Sequence, residues 1–283
     1  MASNSLSSLR SQLHRLSQDL PLKLRQTSNA RAAALIVTVL GVSIPALSYA
    51  ISSYRGYLAL GRGGIPYNVF GWAVQGLLQI VAKWDTRDPS PFTKPKNRKA
   101  TEPHGSKTFF ASPIPERAGG RPTVPGYVAP QRQTTQQPAD VEVMSKRMRA
   151  YLDDLLINNT GVLVLEPSKL EGVGTPAVFL DTSSGTTELP GFMRGLKGET
   201  AHIHPECSSH VTLSMADAEE VVRKGWAERH RLSGVGLSPL PWSYMLVYAP
   251  RNDEEFEVWK GIMKAGLRFV CVGAGRELVT DGV

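Results

Sequence analysis

Cysteine is nearly absent: the 283 residues contain two, Cys207 and Cys271. Two thiols cannot build a disulfide scaffold, and with no CxxC pair a cysteine-based zinc site is not expected. Several catalytic signatures are missing as well. There is no Walker loop, no GxSxG nucleophile elbow and no HExxH helix, so nothing announces a P-loop nucleotide enzyme, an α/β-hydrolase or a zincin. Gly172-Val-Gly174-Thr-Pro-Ala is a poor dinucleotide loop, because Pro176 falls where the helix would start. Gly273-Ala-Gly275 lies too near the C-terminus for a βαβ unit. No flavin, nicotinamide or nucleotide cofactor is expected.

Acidic residues are scarce in the first half of the chain. Residues 1–150 hold 20 Lys/Arg against 7 Asp/Glu, and residues 151–283 hold 12 against 18, so the net +7 divides into +13 and −6. The acidic half carries no basic face interleaved with aromatics, and nucleic acid is not an expected partner. The basic charge flanks a hydrophobic run, where anionic lipid headgroups explain it better.

That run extends from Ala32 to Tyr54 without a charged residue, between Arg31 and Arg55. A helix needs about 20 apolar residues to cross the hydrocarbon core, so residues 32–54 are expected to form a single transmembrane helix after a basic tail, residues 1–31. The preceding tail is long for a signal peptide. More basic residues precede the span than follow it, which places the N-terminus in the cytosol and the remainder across an endomembrane such as the endoplasmic reticulum. Asn158-Asn159-Thr160 is a glycosylation sequon, used only in a lumen. Residues 55–84 form a juxtamembrane segment. Within it Val69 to Ala82 is too short to span, and Gln75 and Gln79 share one helical face opposite a wide apolar surface. This helix is expected to lie on the membrane or to pack on the domain. Residues 85–140 are a Pro/Gly-rich basic linker, extended and able to strap across a domain surface.

Residues 141–283 carry the globular patterns. Val143, Met148, Leu152, Leu155 and Leu156 share a helical face. GVLVLE, PAVFLD, TAHIH, HVTLSM, WSYMLVYA and LRFVCV have the length and β-branched content of strands. Ser214 and Asn252 are expected helix N-caps, with Gly225 and Gly266 as stops. Strands outnumber helices and do not alternate regularly with them, which predicts an α+β domain with a mainly antiparallel sheet and helices packed on it.

Four of the six histidines, His202, His204, His210 and His230, fall between Ala201 and Gly234. His202 and His204 are two apart on a strand and share a face. A hairpin closed by the loop PECSS would set His204 opposite His210 and Ile203 opposite Val211. His202, His204, His210 and Thr212 then collect on one face, with cross-strand Cβ atoms about 5 Å apart. Three such imidazoles suit a divalent metal. They equally suit a metal-free proton-transfer cluster, or a polar strand face packed under the linker, and spacing alone leaves the three open. Glu199 and Glu206 are the nearest acids.

The block AHIH…SSHVTLS…EEVVRKGWAERHRLSG, followed by YMLVYAPRNDEEFEVW, resembles the fungal luciferase family. Likeness extends to PYNVFGW (Pro66–Trp72), RPTV (Arg121–Val124), QRQ (Gln131–Gln133) and the N-terminal apolar helix. Luminescent members oxygenate 3-hydroxyhispidin, a phenolic pyrone, with O2 as co-substrate, and are membrane-associated. The resemblance therefore implies a membrane-anchored oxygenase of a small phenolic or pyrone substrate, partnered by membrane lipids. His202, His204, His210, Trp226, Arg229 and His230 stand at the matching motif positions, and catalytic roles are inferred from their chemistry for His202, His204, His210, Arg229 and His230. Trp226, Trp242 and Arg251 are expected to bind substrate, Arg229 to hold a developing oxyanion, and a cluster histidine to act as base. If a metal is bound, His202, His204 and His210 are its ligands. The loop after His204 is shorter than in luminescent members and has Cys207 where a further histidine is expected, a departure that speaks against light emission. A non-catalytic anchored domain that binds a metabolite or lipid is the alternative.

Overall fold

The computed structural model describes residues 3–185 and 187–280, with residues 3–28 described by their helical backbone alone. The chain divides into two units, residues 1–56 and residues 57–283. The first is helix α1, Ser3–Ala59, whose last turn enters the second unit. Its stretch Asn29–Ala59 is long and apolar enough to cross a membrane, and its most apolar window buries nothing. Helix α2, Val69–Leu78, starts at Asn68, whose side chain accepts hydrogen bonds from the Phe70 and Gly71 amides. Gln75 is buried on one side of α2 and accepts from the Val128 amide at 2.9 Å, whereas Phe70, Val74 and Leu77 are exposed on the apolar side.

The proline-rich stretch is part of the second unit. It contains two short helices, α3 (Ser90–Thr93) and α4 (Pro95–Arg98), then a 3-10 turn at Lys99–Thr101 and further turns, and from residue 108 to 140 runs as a strap without regular secondary structure. Side-chain to backbone bonds take the place of secondary structure in tying it down. Asp217 accepts from the Thr108 hydroxyl (2.6 Å) and the Phe109 amide (3.0 Å), Arg121 donates to Ala227 O (3.0 Å), and Gln133 accepts from the Ala249 amide (2.8 Å). Phe92, Ile114 and Val128 plug into the interior.

Helix α5, Val141–Asn158, is capped by Asp140 and buries Met144, Met148, Tyr151, Leu152 and Leu155. These positions repeat at helical spacing. Met144 takes the place expected for Val143, which is exposed. Six strands follow: β1 Leu163–Ser168, β2 Gly172–Leu180, β3 Glu199–Ile203, β4 Ser209–Thr212, β5 Ala227–Arg229 and β6 Tyr244–Val247. Every pairing is antiparallel, in the order β1-β2-β3-β4-β6-β5. The fold is thus α+β with an antiparallel sheet, as the patterning implies. The three-residue strand β5 is too short to leave a period in the sequence. Helix α6, Met215–Arg223, starts at Ser214, whose hydroxyl accepts from the Asp217 amide at 3.0 Å.

The last element departs from expectation. LRFVCV is not a strand: it forms the closing turns of helix α7, Asp253–Gly273, which begins at the Asn252 cap. Gly266, expected to stop this helix, lies inside it, where a Cβ would sit 2.4 Å from Val211 Cγ2 and 2.9 Å from Thr212 O. Its role is close approach of helix to sheet. The helix ends instead at Gly275, in the left-handed region (φ +67°), with the Arg276 amide bonded to Cys271 O. The apolar burial of Phe269 and Val270 against the domain outweighs the local strand propensity of LRFVCV. Helices α5 and α7 pack on the same region of the sheet, against β3 and, for α7, β4. There Ile203 and Val211 join the core with Trp259, whose Nε1 donates to Ser209 Oγ at 3.0 Å.

Candidate functional site

In the β3–β4 hairpin His202 lies opposite His210, Ala201 opposite Val211 and Ile203 opposite Ser209. The expected pairing of His204 with His210 is therefore displaced by two residues. The loop is tighter than PECSS: His204 N donates to Ser208 O (2.8 Å) and Cys207 N to His204 O (3.0 Å), leaving three residues at the tip. Cys207 takes the left-handed conformation (φ 72°) that closes such a turn. A slip of two residues preserves the facing of every side chain. The three histidines consequently still share a face, opposite the helices, and all are buried. Their ring centroids are 5.0 Å (His202–His204), 5.2 Å (His202–His210) and 4.8 Å (His204–His210) apart.

The partners of these rings fix their tautomers. His202 Nδ1 is 2.7 Å from Glu199 Oε1, and a carboxylate can only accept, so Nδ1 carries the proton. His204 Nδ1 is 2.8 Å from Ser208 Oγ, whose own proton goes to Glu206. His210 Nδ1 donates to the Met245 carbonyl at 3.0 Å. The Nε2 atoms of the three rings turn towards one another, and those of His202 and His204 are 3.2 Å apart, a separation that a shared proton or a metal ion can bridge. The candidate ligand atoms of the three residues all lie within 4.8 Å of one another. Two nitrogens on a tetrahedral ion with bonds of about 2.0–2.1 Å are separated by about 3.3 Å. Burial, then the neighbouring His204, His230 and His202, hold His210 well below the usual histidine range. A proton is thus disfavoured on His210. The set has the make-up of a divalent transition-metal site: three imidazoles, each oriented by an acceptor on its far nitrogen.

His230 stands beside this set but not in it. Its ring is 5.2 Å from that of His210, its Nδ1 accepts from the Leu232 amide (3.1 Å), and its backbone partner is Val128. Burial, with the adjacent His204 and His202, pushes it down to about 3. Other expected site residues lie elsewhere. In β5, Arg229 pairs with Met245, whereas Glu228 pairs with Leu246, the partner of His210. By strand alternation Arg229 faces away from the histidines. Its guanidinium meets Asp85 at 2.7 Å and lies 5.0 Å over the Trp242 ring. Trp226 is a core residue whose Nε1 donates to Pro115 O at 2.6 Å. Arg251 braces the start of α7 by bonding Glu255 and Ala118 O. Asn158 is exposed at the end of α5. Cys207 is buried with Sγ 3.4 Å from Val141 O, and burial, then the Glu206 charge, pushes its thiol up to about 12.

A cavity of about 130 Å³ opens onto His202, His210, His230 and Tyr244. The strap and the segment after α1 roof it with Ala129, Gln131 and Gly64. Tyr244 stacks on the His210 ring (centroids 4.8 Å, 18° between planes). A larger cleft, about 1180 Å³, lies alongside and shares Gly64 and Glu171 with the cavity. Glu171 Oε1 is 4.0 Å from His204 Nε2, and its other oxygen is paired with Arg132. Tyr244, Gln131 and Glu171 were not singled out in the sequence. Tyr244 had a usable signal, because it lies two residues from Leu246, which pairs with His210.

An antiparallel sheet with a buried triad of imidazoles beside a mostly apolar cavity has the make-up of a small-molecule site on an α+β scaffold. Residues 197–266, which span the triad, match the luciferase domain family model. The chain is 27% identical to the luciferase of Neonothopanus nambi over 261 residues, covering 89% of this chain and 93% of that protein. It is 28% identical to the luciferase of Armillaria mellea over 260 residues, with coverage of 89% and 93%. No solved structure matches. The chain is a homologue of the fungal luciferases.

Proposed function

We propose that this protein is a membrane-anchored oxygenase of a small phenolic or pyrone substrate, with a divalent transition metal held by the Nε2 atoms of His202, His204 and His210. The observation that carries the reading is the convergence of the Nε2 atoms of three buried histidines, two of them 3.2 Å apart. Three imidazole nitrogens brought together in this way can share one metal ion as ligands. When bound, the metal would supply Lewis-acid or redox activation of dioxygen. The chain's own contribution is orientation and cover. Glu199, Ser208 and Met245 O hold the rings, and the strap covers one side of the cavity. Dioxygen is the oxidant and the electron-rich enolate of the substrate the donor. Light emission is no part of the reading, since Cys207 stands where the resemblance leads one to expect a further histidine. The apolar stretch of α1 supports a single-pass anchor in an endomembrane, and the exposed face of α2 supports contact with lipid.

Oxygen uptake by the full-length protein in lipid, with hispidin-type pyrones and assayed metal content, tests the proposal. Wild type should consume oxygen while His202→Ala and His204→Ala should not. Equal behaviour of all three points to a non-catalytic binding domain. A glycosidase-sensitive mass shift at Asn158 tests the lumenal placement.

A further inference from the structure

The cavity on the histidines has walls that are mostly hydrocarbon, with Leu170, Pro239 and Leu240 among them, yet two polar atoms in its lining residues have no partner among the described residues. One is the Tyr244 hydroxyl, the other Gln131 Oε1. Tyr244 is 2% and Gln131 1% exposed, so water does not serve them from outside. A buried donor or acceptor left unpaired pays its desolvation with nothing in return. Here a hydroxyl able to donate and a carbonyl able only to accept go unpaired in two side chains that line the same cavity. Gln131 has no freedom to exchange its ends, because its Nε2 is held by Glu228 Oε1 and Arg229 O, both at 3.3 Å. Tyr244 is held by its stacking on His210. An apolar cavity of about 150 Å³ accommodates benzene. The volume of about 130 Å³ therefore suits one six-membered ring.

We propose that this cavity seats a single flat ring of the substrate, with Tyr244 donating to a ring carbonyl or enolate oxygen and Gln131 Oε1 accepting from a ring hydroxyl. The inference rests on the oxygenase reading for the substrate's class, and assigns the residues that recognise its reacting ring. These are positions the arginine and tryptophans named from the sequence do not occupy. The stacked pair of Tyr244 and His210 brings the ring edge to the triad. Any substituent longer than the cavity leaves by the side shared with the larger cleft, past Gly64 and Glu171. Recognition thus falls on the hydroxylated ring, with the rest of the molecule held loosely.

The test is calorimetric binding of 4-hydroxy-6-methyl-2-pyrone, a one-ring probe with a hydroxyl and a carbonyl, to the metal-loaded full-length protein under nitrogen. Wild type should bind it at least tenfold more tightly than the methyl ether of the same pyrone. Tyr244→Phe should weaken binding about tenfold, the loss of one buried hydrogen bond, with metal content unchanged. Ala129→Leu, which fills the roof, should abolish it, with circular dichroism confirming the fold. Failure of wild type to bind the probe, or binding by both variants equal to wild type, overturns the proposal. Binding is read without turnover. Normal binding of the probe, with no oxygen uptake when hispidin-type pyrones are supplied in air, would sink the oxygenase reading and leave the ring site standing.

Discussion

Nε2 of His202 and Nε2 of His204 face each other at 3.2 Å in a buried site, each ring held through its Nδ1, by Glu199 and by Ser208 respectively. Two residues apart, His202 in β3 and His204 just past its end, they are aimed by partners on different segments: Glu199 inside β3 and Ser208 across the hairpin turn.

Protein purified without chelator should carry about one equivalent of transition metal by elemental analysis, and His210→Ala should carry none. At a free metal concentration near 100 times Kd the metal adds about 2.7 kcal/mol to stability. Removing it should lower Tm by about 5–10 °C for a unit of this size. An unchanged Tm and no metal would remove the triad from consideration as a metal centre.

Glu199→Gln tests the orienting role. The amide keeps the shape but can turn its NH2 towards His202 Nδ1, which favours the wrong tautomer. Such substitutions lower metal affinity about 10- to 100-fold. Competition with a chromophoric chelator measures this, and a loss below threefold would make Glu199 a bystander.

Gly266→Ala should destabilise the domain by about 1–3 kcal/mol through overpacking, because the added methyl meets Val211 Cγ2 at 2.4 Å and the backbone Thr212 O at 2.9 Å. Both contacts lie on β4, the strand that holds His210. Metal affinity should fall together with the denaturant midpoint. Loss of stability with full metal affinity would show that helix packing and site geometry are uncoupled.

Glu255 gives a pH prediction. Burial raises its carboxyl, but hydrogen bonds from the Arg251 side chain and amide, and the charge of Arg117, outweigh burial and hold it below the usual range. A depressed folded pKa stabilises above the unfolded value, near 4.3, and the contribution fades as pH falls through the folded value. Wild type should therefore exceed Glu255→Gln by about 2 kcal/mol at pH 7, with the gap closing below about pH 4. A gap independent of pH from 7 to 3 would refute the assignment.

Both native thiols are buried, and burial pushes each up to about 12. Neither should react with iodoacetamide at pH 8 until the protein is unfolded. That silence allows Phe70→Cys, on the exposed face of α2, to be labelled alone. A polarity-sensitive dye there should shift to the blue in nanodiscs relative to the same protein in denaturant. A water-like spectrum in nanodiscs would argue that α2 does not touch lipid.

Much of this architecture is legible in the order of residues. The uncharged run from Ala32 to Tyr54 must be apolar helix, the caps at Ser214 and Asn252 start helices where side-chain acceptors meet free amides, and alternation in AHIH and HVTL sets three imidazoles on one face. These are local periodicities, readable without a partner. Tertiary structure decided what local pattern cannot encode. LRFVCV is helical because burial against the domain outweighs β propensity, and Gly266 is a contact point because a sheet lies against it. His202, and not His204, faces His210 because a three-residue turn closes more tightly than the five residues available to it. Arg229 turns away from the histidines because β5 enters the sheet in a register that no sequence period reveals. The polar ends of the cavity, Tyr244 and Gln131, come from a strand and a strap more than 100 residues apart in the chain. Only the closing of that strap over the sheet brings them to one cavity.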